Sequence, residues 1–96
     1  MKKDIEKIEL QTDIIREGDI YIAYSPALDL ASHGETIIDA QKSFKEAVYL
    51  FLETIIDNGT YKEVLTNLGW QVRGRELLPP VIIGRELMSI NIPALV

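Results

Sequence analysis

One histidine and no cysteine leave this 96-residue chain few groups able to do covalent or metal chemistry. His33 stands beside Gly34 at the end of a short apolar stretch. It has no second histidine at metal-ligand spacing and no serine in a nucleophile-elbow context, so it reads as polar surface. The absence of cysteine excludes a disulfide framework, a thiolate metal site and a cysteine nucleophile. A carboxylate-only magnesium site could be drawn from Asp13, Asp29 and Glu46. However, Asp13 alternates onto the solvent side of a strand, Asp29 lies in a loop, and Glu46 has no helical-spacing partner on its inner side. The glycines are dispersed one per turn or cap, and neither G-x-G-x-x-G nor G-x-x-x-x-G-K occurs. Arg73-Gly74-Arg75 is the only basic cluster and reads as a solvated hairpin tip. The residues therefore predict no catalytic group, no cofactor and no metal: a protein that is not an enzyme.

Charge sharpens that expectation. The chain carries 10 basic and 15 acidic side chains, a net charge of −5. Residues 1–70 hold 7 of the basic and 13 of the acidic groups, which leaves 3 and 2 for residues 71–96. A nonspecific nucleic-acid binder needs a positive field, so that class is disfavoured. An acidic small domain suits a basic protein partner, although solubility alone also accounts for some net charge. After Trp70 the chain has four breakers (Pro79, Pro80, Gly84, Pro93) and no helical period, so no direct DNA binding is expected. No apolar run reaches the roughly 20 residues of a membrane span, and the basic start (Met1, Lys2, Lys3) has no apolar stretch behind it. A soluble cytoplasmic protein follows as the expectation.

The elements that must position these groups are legible as periods. Ile8, Leu10, Thr12 and Ile14 alternate with polar neighbours, which predicts a half-buried strand over residues 5–16. Glu17-Gly18-Asp19 reads as a turn, and residues 20–24 as the second strand of a hairpin, with Ile20, Ile22 and Tyr24 on one face. Pro26 breaks that strand, because proline cannot donate to a ladder. Residues 30–33 form a short third strand, ended by Gly34. The period then turns helical. Thr36 is a good N-cap with Asp39 three residues on, and Ile37, Ala40, Phe44, Ala47, Val48, Phe51 and Ile55 form one apolar stripe over residues 37–57. Leu50, Leu52 and Ile56 lie off that stripe, as peripheral core or a contact surface. Asn58-Gly59 stops the helix, and Thr60-Tyr61-Lys62-Glu63 fits a capping box that starts a second, short one. Strand-like stretches follow at 70–72, 76–78, 81–83 and 87–92. The expected fold class is α+β: a two-layer β-β-β-α-(α)-β sandwich whose fourth strand returns to the sheet. Residues 1–78 make the domain, and residues 79–96 an extended C-terminal β arm.

Within residues 20–52 the chain resembles the HicB antitoxin family. The resemblance rests on Tyr24-Ser25-Pro26-Ala27-Leu28, then Gly34-Glu35-Thr36, then Asp39-Ala40 at the start of an amphipathic helix. Asn58-Gly59-Thr60, Leu68-Gly69-Trp70 and Pro79-Pro80 are similar to a subgroup of that family, so the likeness covers about residues 7–80. Each motif residue has a structural job: Pro26 ends a strand, Leu28 plugs the loop onto the core, Gly34 permits the reversal into the helix, and Thr36 caps it. The resemblance implies a partial, degenerate ribonuclease-H-like fold and a non-enzymatic antitoxin. It implies as partner a HicA-type toxin, a small basic mRNA-cleaving ribonuclease neutralised by covering its active surface. Two departures stand out. Asp29-Leu30-Ala31 replaces the Pro-Gly-Cys of many members, and a short arm stands where many carry a DNA-binding domain, as in a solitary, short form. Two other readings stay open: a degenerate metal-dependent nuclease, and a regulatory module for another basic protein or small ligand. A homo-oligomer, dimer or tetramer, is also expected, with Ile90 and Ile92 of the arm pairing with a neighbouring subunit's sheet edge.

Overall fold

The computed structural model describes residues 7–95. The first two residues of the expected opening strand, and the basic start at Met1-Lys2-Lys3, lie outside the described residues.

Three strands, β1 (Asp13–Glu17), β2 (Ile20–Ser25) and β3 (Leu30–Gly34), form an antiparallel meander in the order β1-β2-β3. The long helix α1 (Ile37–Asp57) packs across β2 and β3. A short helix α2 (Tyr61–Asn67) and a two-stranded ribbon, β4 (Gln71–Arg73) with β5 (Glu76–Leu78), complete a mixed α+β chain. Glu17 pairs with Ile20, so the β1–β2 turn is the two residues Gly18-Asp19. Gly18 takes φ +62°, the left-handed value this tight turn demands at its first position and one that costs glycine little.

Alternation along β2 sorts the two faces of the meander. Tyr21, Ala23 and Ser25 point toward α1, where Ala23 and Ala40, both fully buried, let the helix lie close against the sheet beside Phe44. The side of Ile20, Ile22 and Tyr24 carries no helix. A second cluster (Ala27, Leu28, Ile55, Leu65 and Trp70) ties the β2–β3 loop to both helices, with Ile8 and Leu10 packed against it.

Four expectations are corrected. Among the described residues the first strand begins at Asp13 and excludes residues 7–12, because Pro26 ends β2 opposite it and leaves them no ladder to join. The fourth strand does not return to the sheet: β4 pairs only with β5, as a separate hairpin. The C-terminal arm forms no strand pairing over residues 79–95. The expected capping box at Thr60 is likewise not formed. Its hydroxyl donates back to the Ile55 carbonyl at 3.4 Å instead of accepting from the N–H of the first turn of α2.

Candidate functional site

The open face of the meander collects the side chains left for contact. Cross-strand register places Asp13, Tyr24 and Ala31 in one row, Ile15, Ile22 and His33 in the next, and Glu17 opposite Ile20 in the third. Paired residues share a face, so these rows form one surface. Ile20, Ile22 and Tyr24 are half-buried, and Ile15 keeps 41% of its surface in solvent. The centre is therefore aliphatic and aromatic. Its rim is acidic: Asp13 and Asp29 at one end, Glu17 and Asp19 at the other. His33 sits exposed at the edge of this face.

The Asp13 end is built by the β2–β3 loop. Leu28 N–H donates to the Ser25 carbonyl at 3.4 Å and Asp29 N–H to the Pro26 carbonyl at 3.3 Å, which folds residues 26–29 into a tight reversal. Asp29 takes φ +49°, a left-handed conformation that aspartate tolerates better than most residues. There its carboxylate accepts from the Tyr24 hydroxyl at 2.9 Å. That hydrogen bond holds the Tyr24 phenol above its ordinary value of 10.0, with partial burial and the negative charges of Asp29 and Asp13 adding to the effect.

The family-motif residues fall into one structural group. Leu28 is 4% exposed and faces Trp70, whose indole N–H donates to the Ala27 carbonyl at 2.7 Å across 43 residues of sequence. Pro26 is exposed at the start of the loop, and Tyr24 stands on the open face. Thr36 Oγ1 accepts from the Asp39 N–H at 3.0 Å, which caps α1. Gly34 is required by proximity rather than by dihedral: a Cβ there would lie 2.5 Å from the Ala40 nitrogen and 2.7 Å from the Asp39 Cβ. Sequence reasoning placed Trp70 in a strand and missed its tie to Ala27. A lone tryptophan after a Leu-Gly cap signals a buried ring whose N–H needs an acceptor, but not which acceptor.

The remaining candidates lie elsewhere. Among the described residues no group of three or more His, Asp or Glu gathers as metal ligands would: Asp13 and Asp29 both lie beside Tyr24, and Glu46 does not join them. The arginines at 73 and 75 flank a hairpin tip, where Arg73 donates to Gln71 Oε1 at 2.9 Å. No described helix is long and apolar enough to cross a membrane. Ile90 and Ile92 are 75% and 72% exposed on the arm. Comparison with protein-family models, with curated proteins and with solved structures found no match to this chain.

Proposed function

We propose that this chain is a non-enzymatic binding protein of antitoxin type, which covers a small basic protein with the open face of its β1-β2-β3 meander. The observation that carries this reading is the surface itself: an aliphatic centre of Ile15, Ile20 and Ile22 inside a rim of Asp13, Glu17, Asp19 and Asp29. Apolar burial would supply affinity, and the acidic rim would steer a cationic partner and reject an acidic one. The β-β-β-α order with a helix on one side of the sheet supports the HicB-like, partial ribonuclease-H-like arrangement that the Tyr24–Ala40 motif implies. Under that reading the partner is a HicA-type ribonuclease, held inactive by occlusion.

The test measures RNA cleavage by a HicA-type toxin mixed with this chain. The wild-type chain is expected to bind and to suppress cleavage. Ile22→Asp places a charge in the apolar centre and is expected to abolish suppression, whereas Glu46→Lys on the solvent side of α1 leaves it unchanged. Circular dichroism of each variant separates lost binding from lost fold. Suppression by Ile22→Asp equal to wild type, or no binding by the wild-type chain, overturns the proposal.

A further inference from the structure

The arm that follows β5 is the least accounted-for part of the molecule. Its beginning is moored: Ile82 N–H donates to Gln11 Oε1 at 2.6 Å, Gln11 Nε2 donates to the Ile82 carbonyl at 3.3 Å, and Arg85 pairs with Asp13. Beyond Arg85, among the described residues, no hydrogen bond or ion pair is seen to hold it. Leu87, Met88, Ile90, Ile92 and Leu95 are 72–106% exposed. The molecule measures 56 × 29 × 25 Å with a radius of gyration of 16.3 Å, against about 12–13 Å for a compact chain of this length.

The free segment has the pattern of a strand. Met88, Ile90 and Ile92 alternate with Leu87, Ser89 and Asn91, between Gly84 and Pro93. Period-two alternation on an otherwise uncharged stretch belongs to a strand with one buried face, and here neither the face nor the ladder is satisfied. The same molecule offers the missing half. β1 is the outer strand of the meander, four of its five residues are exposed, and Ile14 and Ile15 each show 41% of their surface. Among the described residues no backbone hydrogen bond reaches β1 from the side away from β2. At the other end of the sheet, β3 lies under α1.

We infer that two copies of this chain exchange arms, residues 87–92 of each adding as a strand to the outer edge of β1 in the other. Donor and acceptor are on every copy, so a reciprocal twofold exchange satisfies both arms and both edges and closes. The segment from 87 to 95 carries no charge, so it has nothing with which to select an acidic or a basic foreign partner. The area suffices. The four large apolar side chains of the exchanged strand (Leu87, Met88, Ile90, Ile92) are worth about 60–120 Å² each when buried. Two exchanged arms therefore hide roughly 500–1,000 Å², and a similar area on the accepting surfaces brings the total into the range of the standard interface of about 1,200–2,000 Å². The exchange uses the edge of β1 and not the open face, so it stands whatever that face binds.

The full chain is tested by light scattering after gel filtration. The wild-type chain is expected at twice 10.9 kDa and the double variant Ile90→Asp/Ile92→Asp at 10.9 kDa, with its helical circular dichroism bands retained because both positions are exposed in the single chain. With no native cysteine, Arg16→Cys and Asn91→Cys report the geometry without background. Mixing the two single variants under oxidation is expected to give a disulfide between different chains. A wild-type mass of one chain, an assembly that survives the double aspartate variant, or a cross-link that forms only within one chain carrying both cysteines would each overturn the exchange.

Discussion

The β2–β3 loop and the C-terminal arm begin alike and end differently. Both open on proline and run into aliphatic residues: Pro26-Ala27-Leu28 in one, Pro79-Pro80-Val81-Ile82-Ile83 in the other. Yet Ala27 and Leu28 are 7% and 4% exposed, while Val81 and Ile83 are 71% and 98% exposed. Hydropathy does not distinguish them; what surrounds the backbone does. The loop is short, its two strands are already paired, and an indole N–H meets its Ala27 carbonyl. Among the described residues the arm has side-chain moorings at Gln11 and Asp13 and enters no core cluster. Apolar sequence becomes core where polar backbone groups find partners on the way in.

That contrast can be broken by mutation, and the largest effect is expected in the loop. Leu28→Ala removes a fully packed side chain and is expected to lower unfolding stability by about 2–5 kcal/mol. Leu87→Ala, measured at dilution where the chain is monomeric, should change it by less than about 0.5 kcal/mol. Paired urea titrations decide this, and equal losses would erase the distinction. Trp70→Phe keeps most of the ring and takes away the N–H, which leaves the Ala27 carbonyl buried without its partner. A loss of about 1–3 kcal/mol is expected by the same titration. Arg85→Ala releases the arm from Asp13. As an exposed pair it should cost about 0.2–1 kcal/mol at low salt and fade as salt is added, which denaturation at two ionic strengths resolves.

The smallest effect concerns the hinge of the loop, where Tyr24 meets Asp29. The folded phenol titrates above 10.0, so the neutral form is favoured in the native state. Its contribution to stability is present below pH 10 and is lost as pH rises through the raised native value. Tyrosinate absorbance should show one late-titrating tyrosine, and Asp29→Asn should bring it back toward the ordinary range. A wild-type titration in which every tyrosine ionises together would show that the hydrogen bond is not maintained in solution.

Much of this architecture is legible before any coordinates, and for physical reasons. The helix over residues 37–57 is bounded by Thr36 and Asn58 as its stripe and caps indicate, because both signals are local. Pro26 marks the end of β2 for the same reason. Legibility fails where the decision is made by a distant neighbour. Residues 7–12 alternate like a strand but join no strand among the described residues, because β2 has already turned away. Val72 and Leu77 look like returning sheet strands but find each other first, across Gly74-Arg75. The orientation of β2 is hidden as well. Ile20, Ile22 and Tyr24 look more like core than Tyr21, Ala23 and Ser25, yet the smaller set faces α1, because Ala23 opposite Ala40 allows the closer approach. That inversion leaves the larger aliphatic residues on the open face, so composition alone would have placed that face inside the protein.

The tie between Trp70 and Ala27 spans 43 residues, whereas every strand of the meander pairs with its neighbour in sequence and α1 packs back on β3 directly before it. Folding order follows from that difference in contact order. The segment from β1 to α1 assembles through short loop closures, and the indole docks after them, because its loop is longer than any closed within that segment and carries the larger entropic cost. Substitutions at Trp70 should therefore accelerate unfolding and leave the refolding rate nearly untouched, which makes this one side chain a latch on the kinetic lifetime of the native state.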